Sequence, residues 1–325
     1  MSQSTLSLPR APAGASPDAP AVVRPGAPEA PAWQVWSALW IVYIVWGSTY
    51  LAIRIMVETM PPLLSAGVRF LVAGAVMVGV LAVRRGLRAV RPTRAQLLGA
   101  LAIGLLLPGA NAVVTVAEQE VPSNLAALLI ASIPLWVIIL RRLAREDVSR
   151  RSIAAVLVGF AGVALLLLPG EQSAGASIGS LLLLVGAAVM WASGSFATAK
   201  LSLPSDPLVS VGWQMLLGGA VIVLAGLAAG ELPDVSVEAF STRSLLALAY
   251  LIAIGSWVAY TAYSWLLQNA PLSKVSTYAY VNPVVAIVLG WLILDELITG
   301  TTVVGAAIIV VSVALVVRTE AARRP

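Results

Sequence analysis

The chain has no cysteine and no histidine. The first absence excludes disulfides, thiolate metal sites and cysteine nucleophiles. The second removes the commonest proton shuttle and metal ligand, and with it most intramembrane hydrolases and histidine-based acyltransferases. Charge is scarce as well: 11% of the 325 residues are charged and 59% are hydrophobic. That leaves too little polar surface to clothe a water-soluble globule, and a mean hydropathy of +0.94 places the chain in a bilayer. Strand-like alternation is missing, so helices rather than a transmembrane barrel must satisfy the backbone. No acidic cluster or serine dyad appears at recognisable spacing, so no metal, no cofactor and no enzymatic activity are expected. The net charge of +5 does not indicate a nucleic-acid partner, because the basic residues sit in short loops between apolar runs.

Residues 1–32 are rich in Ala, Pro, Ser and Gly, which predicts a disordered tail; no apolar stretch precedes a cleavage site, so no signal peptide is expected. Ten apolar segments follow, at about Trp33–Val57, Pro62–Val83, Ala95–Ala117, Asn124–Leu140, Ile153–Leu168, Ile178–Ala199, Pro207–Ala229, Leu245–Leu267, Val275–Leu294 and Val303–Val317. At about 1.5 Å per residue each is long enough to cross a bilayer. All but three of the 20 basic residues fall in the tails and even-numbered loops; the exceptions are Arg54, Arg69 and Arg243. Acids gather in the odd-numbered loops, among them Glu58, Glu118, Glu120, Glu171 and Glu296. Basic loops stay in the cytoplasm, so both termini are expected there, residues 319–325 forming a short C-terminal tail.

The chain reads as a duplication. At a shift of 149, Gln119, Pro122, Pro134, Leu140 and the acid pair Glu146-Asp147 meet Gln268, Pro271, Pro283, Leu289 and Asp295-Glu296. At a shift of 145, Trp46, Ser48, Ala52, Pro62, Gly67 and Gly74 meet Trp191, Ser193, Ala197, Pro207, Gly212 and Gly219. Each copy, residues 33–170 and 171–318, holds five helices. Because five is odd, the second copy enters the membrane from the opposite face, and the expected fold is an all-α integral membrane protein of two inverted five-helix repeats. Proline repeated inside two spanning segments frees backbone carbonyls that must be used or re-satisfied.

Over about residues 36–317 the chain resembles the EamA-type ten-helix permeases of the drug/metabolite transporter superfamily. The resemblance rests on WGSTYLAIR, on Arg69-Phe70, on AEQEVPSNLAALLIASIPLW and on YAYVNPVVAIVLGWLILDELIT. It departs at Asp295, where the family usually has a small residue before its acid. The resemblance implies a central cavity among helices one, three, four, six, eight and nine, and export of amino acids, related metabolites or toxic compounds.

The polar and aromatic residues within the segments are the site candidates. In the eighth, Trp257, Tyr260, Thr261, Ser264 and Gln268 form one stripe, with Tyr263 off it. Trp46, Ser48 and Tyr50 in the first segment, with Trp191 and Ser195 in the sixth, are expected at the cavity, whereas Trp33, Trp36 and Trp40 suit an interfacial belt. Arg69 lies inside the second segment, where an unpaired arginine costs about 2.5–3.5 kcal/mol; it must pair, snorkel or meet solute. Its repeat counterpart is Gln214, an asymmetry that favours anionic groups. Asn111, Asn124, Tyr278, Tyr280 and Asn282 complete the expected solute site. Glu118 and Glu120 are the acids with a path to the centre; proton coupling through Glu118 is one reading, and facilitated diffusion or solute exchange, which needs less chemistry, is the other. The acid pairs are expected to cap the helices that follow them.

The expected function is a permease moving a small polar metabolite, an amino acid or a related compound, by alternating access in the inner (plasma) membrane. Export is favoured by the resemblance alone. The expected partners are the solute and the lipid bilayer, with a homodimer left open. An intramembrane enzyme acting on a lipid-linked substrate and a multi-pass sensor are the alternative classes; short loops disfavour the second.

Overall fold

The computed structural model describes residues 31–168, 170–173, 175–236, 238–270 and 272–322. The expected N-terminal tail, apart from its last two residues, and the last three residues of the C-terminal tail lie outside the described residues. Among the described residues nine helices are long and apolar enough to cross a membrane, and a tenth is shorter. They are α1 (Ala32–Met56), α2 (Pro62–Arg85), α3 (Arg94–Ala117), α4 (Ser123–Leu143), α5 (Arg150–Leu167), α6 (Ile178–Thr198), α7 (Pro207–Ala228), α8 (Thr242–Asn269), α9 (Tyr278–Leu294) and α10 (Gly300–Ala321).

Most of these helices begin on a residue that can accept from their free N–H groups. Ser149, Ser177, Asp206, Ser241 and Thr299 cap α5, α6, α7, α8 and α10, and Thr93 forms a capping box with Gln96 on α3. Two helices that start behind proline are capped from elsewhere. The Glu231 carboxylate, beyond the end of α7, accepts from the Leu63 and Leu64 amides of α2 at 3.0 and 2.8 Å. Glu296, beyond the end of α9, accepts from the Ser123 and Asn124 amides of α4 at 2.6 and 2.9 Å. This corrects the expectation that Glu296 caps the following helix, which Thr299 does; the carboxylate instead ties one repeat to the other. Glu296→Ala should lower the unfolding midpoint by the loss of a cap, about 1–2 kcal/mol, measured by thermal or denaturant unfolding in detergent. An unchanged midpoint would mean that solvent supplies the lost acceptors.

Two helices are interrupted. Helix α4 breaks at Ala131-Ser132, between Ser123–Ile130 and Ile133–Leu143, with Pro134 at the start of its second half. Helix α8 carries a π-helical stretch, Leu251–Val258, in which the Ser256 hydroxyl donates to the Leu251 carbonyl five residues back at 2.9 Å. Such wide turns are costly and gather at functional sites.

The two repeats run in opposite directions. Helices α2 and α7 touch along a glycine seam in which rising numbers on one meet falling numbers on the other: Gly67 packs on Val223, Gly74 on Leu216, Gly219 on Leu71 and Gly212 on Val78. At the 145-residue shift, Gly74 and Leu216 exchange with Gly219 and Leu71, and Gly67 and Val223 exchange with Gly212 and Val78. A two-fold axis therefore passes between α2 and α7. The same exchange maps the α1–α9 contact onto α6–α4, α3–α7 onto α8–α2 and α1–α8 onto α6–α3, and leaves α4–α9 and α5–α10 in place. Antiparallel counterparts related by an axis across the helices are the inverted repeat expected from the odd helix count.

Candidate functional site

A cavity of about 120 Å³ lies on that axis. Its walls come from equivalent positions of the two repeats: Trp46 with Trp191, Asn111 with Tyr260, Ile130 with Ala279, Ile133 with Asn282, and Pro134 with Pro283. Proline has no N–H to return to the carbonyl four residues earlier. For Pro134 and Pro283 those carbonyls belong to Ile130 and Ala279, both on the cavity wall.

Trp46 is the centre of an aromatic cluster. Its ring lies 5.2 Å from Tyr260 and 5.2 Å from Tyr278 in edge-to-face contact, and 5.1 Å from Tyr263. Such contacts hold large side chains in fixed positions without polar bonds. The Asn282 amide, turned so that its nitrogen meets acceptors, donates to the carbonyls of Tyr278 and Tyr43 at 3.2 and 3.3 Å. The Asn111 amide reaches the Leu107 carbonyl at 3.5 Å.

Arg69 supplies the cavity's charge. It is 4% exposed and borders the cavity. Its guanidinium lies over the Phe70 ring and reaches Ser256 of the π-helical stretch through Nε at 3.4 Å. Among the described residues, no carboxylate comes within ion-pair distance of it. A buried cation with one long hydrogen bond is under-satisfied, and its remaining donors are available to an anionic group.

Of the residues expected from the sequence, Trp46, Tyr50, Arg69, Asn111, Trp191, Tyr260, Tyr278 and Asn282 come together here. The others do not border the cavity. Ser48 is buried and hydrogen-bonds Tyr250 at 2.6 Å, because on α1 the cavity face runs Trp46, Thr49, Tyr50, Ile53, a spacing that leaves Ser48 to one side. Tyr280 packs against the large apolar core; two residues from Asn282, it projects from a different face of α9, and Tyr278 takes the cavity position. Ser195 is exposed and Ser264 is buried within α8. The α8 stripe splits: Tyr260 faces the cavity, while Trp257 and Thr261 line a separate surface groove of about 880 Å³ with α1 and α2. The side chain of Gln268 lies outside the described residues. Tyr278, expected beside Asn282, does border the cavity, and Tyr263, off the stripe, packs on Trp46 behind it; Thr49 was missed, although it sits three residues from Trp46.

Beyond the cavity, at the end of the bundle where α3 meets α4, lies a second space of about 330 Å³, bordered by Arg54, Glu58, Glu171, Asp295 and Glu296. Glu118 borders neither space; it is fully buried, one turn past the cavity residue Val114. Arg54 closes the end of α3 by donating to the Glu118 and Gln119 carbonyls. The Glu118 carboxyl itself has no hydrogen-bond partner for either oxygen. Glu120, two residues on, is held below the usual carboxylate range by hydrogen bonds from Ser180 and Ser177.

The model of the EamA-like transporter family matches residues 35–168 and 178–318, one match per repeat. The uncharacterized inner membrane transporter YedA of Escherichia coli K12 is 38% identical over 289 residues, covering 87% of this chain and 90% of its own. Protein PecM of Dickeya dadantii is 30% identical over 270 residues, covering 82% and 86%. A crystal structure 20% identical in sequence covers 90% of this chain and 98% of its own at a TM-score of 0.60, a likeness of fold.

Proposed function

The chain belongs to the EamA-like transporter family, and from that membership we propose that it is an inner-membrane permease for a small zwitterion by alternating access. The observation that carries the reading is the cavity on the axis between two inverted repeats, walled by equivalent residues of both. If the repeats exchange conformations, the end that is closed opens and the open end closes, while residues on the axis keep their place. In this reading the basic end, with Arg84, Arg85, Arg141 and Arg142, faces the cytoplasm together with both termini.

The walls match the parts of an amino acid. Arg69 takes the carboxylate as a charge-assisted pair. The carbonyls of Ile130 and Ala279, released by Pro134 and Pro283, take the ammonium, which needs acceptors alone. Trp46, Trp191 and Tyr260 bound an apolar or aromatic side chain. The net direction follows the gradients imposed on the cycle, and the relative named as an inner membrane transporter supports the membrane assignment. The test is a substrate panel in proteoliposomes under imposed solute and proton gradients. The reading predicts exchange of neutral amino acids with apolar side chains. Failure of every amino acid to exchange, with another solute class moving, would overturn it.

A further inference from the structure

The buried Glu118 carboxyl is unused by the solute site. The residue follows the cavity residue Val114 by one helical turn, its backbone carbonyl is held by Arg54, which borders the second space, and its carboxyl feels Glu296 and Arg69. The charged and titratable groups that face it are Tyr50 and Arg54 of α1, Arg69 of α2 and Glu296 beyond α9. Neither of its oxygens has a hydrogen-bond partner. An ionised carboxylate stripped of water and donors is costly, so such a group either holds a proton or is neutralised by a cation that comes to it.

Resting on the permease reading, we propose that Glu118 is the proton-binding group of the transport cycle and that its proton travels with the solute. Arg69 cannot neutralise two carboxylates at once. When the solute carboxylate occupies the guanidinium, Glu118 loses that compensation and binds a proton from water on the side then open. When the solute leaves on the other side, Arg69 is free to compensate Glu118, and the proton returns to water there. One proton thus accompanies each zwitterion, and the loaded step carries one positive charge. Under a gradient acidic outside, the coupling favours inward movement; outward movement needs an excess of solute inside. With Arg69 free, burial and the nearby Glu296 push the Glu118 carboxyl up while Arg54 and Arg69 partly offset them; a solute carboxylate on Arg69 removes part of that offset and pushes it higher still.

Two experiments test this. In ligand-free protein reconstituted in lipid, infrared difference spectra taken between about pH 5 and pH 8 are expected to show a protonated carboxylic acid that titrates above the ordinary glutamate range. The signal should be missing in Glu118→Gln, which keeps the size and the neutral form. It should titrate still higher in Arg69→Gln, where one opposing cation is gone. Absence of the signal from the wild type, or its persistence in Glu118→Gln, overturns the proposal. In vesicles carrying L-leucine, Glu118→Gln should retain solute-for-solute exchange and lose accumulation driven by an inside-alkaline gradient. Accumulation equal to the wild type would overturn the proton role while leaving the permease standing. If leucine exchanges in neither protein, it is the amino-acid reading that fails, and the infrared result still decides the proton site.

Discussion

Gly74→Val is expected to leave little folded protein. A Cβ at Gly74 would stand 2.4 Å from the Leu216 nitrogen and 2.7 Å from the Gly212 oxygen, both backbone atoms of α7. A side-chain tip can turn aside; a helix backbone cannot, so α2 and α7 must separate along the axis that relates the repeats. Overpacking of this kind costs about 3 kcal/mol or more, and here it also breaks the close small-residue contact that holds membrane helices together. The control is on the same helix: Gly79 has nothing within 4 Å of its Cβ position, so Gly79→Val should express and melt like the wild type. Size-exclusion profiles and melting curves in detergent make the comparison. Equal behaviour of the two variants would show that the seam yields without cost.

Arg69→Gln should weaken binding of an amino acid by about 10- to 150-fold, the loss of a charge-assisted bond at about 1.5–3 kcal/mol. The variant places in α2 the residue that α7 already carries at Gln214, so it removes the one charged difference between the repeats at the cavity. The effect should be confined to the carboxylate: leucinamide, with the same side chain and ammonium, should bind wild type and variant alike. Quenching of tryptophan fluorescence gives the readout, since Trp46 and Trp191 border the cavity. Equal weakening of both ligands would assign Arg69 to holding α8 through Ser256 rather than to the solute. Arg69→Lys should recover only part of the affinity, because an ammonium lacks the planar fork that meets a carboxylate twice.

Glu118 also leaves a mark on stability. A carboxyl whose folded value lies above its unfolded one binds more protons when folded, so folding loses stability as the pH climbs from the ordinary carboxyl value to the raised one. Glu118→Gln lacks that slope. Its melting temperature should exceed that of the wild type at neutral and alkaline pH, and the two should converge in acid. A difference independent of pH would mean that the side chain is not titrating.

The inverted repeat could be read from the chain because three signals agreed. Prolines and glycines recur at fixed shifts, the apolar runs have membrane length, and basic and acidic loops alternate. The cavity was legible where a residue's own cost announced it: Arg69 in an apolar helix and amides such as Asn111 and Asn282 have no good place in lipid. What could not be read was which side of a helix faces inward. Ser48 and Trp46, or Tyr280 and Asn282, are two residues apart and point in different directions, so a cluster in sequence divides between cavity and packing. The break at Ala131-Ser132 and the π-helical turn at Leu251–Val258 shift the faces that follow. The Glu296 cap was missed because its partners lie 173 and 172 residues away, beyond any local pattern.

Alternating access requires that residues on the axis meet water from both sides of the membrane in turn. The chain has no cysteine of its own, so a single cysteine at Ala279, on the cavity wall, can be labelled with a membrane-impermeant thiol reagent from either side of oriented vesicles. Ala279→Cys is predicted to react from both sides and to be protected by solute, while Leu224→Cys, on the exposed apolar surface, reacts from neither. Labelling of Ala279→Cys from one side only, whatever the solute, would contradict alternating access at this cavity.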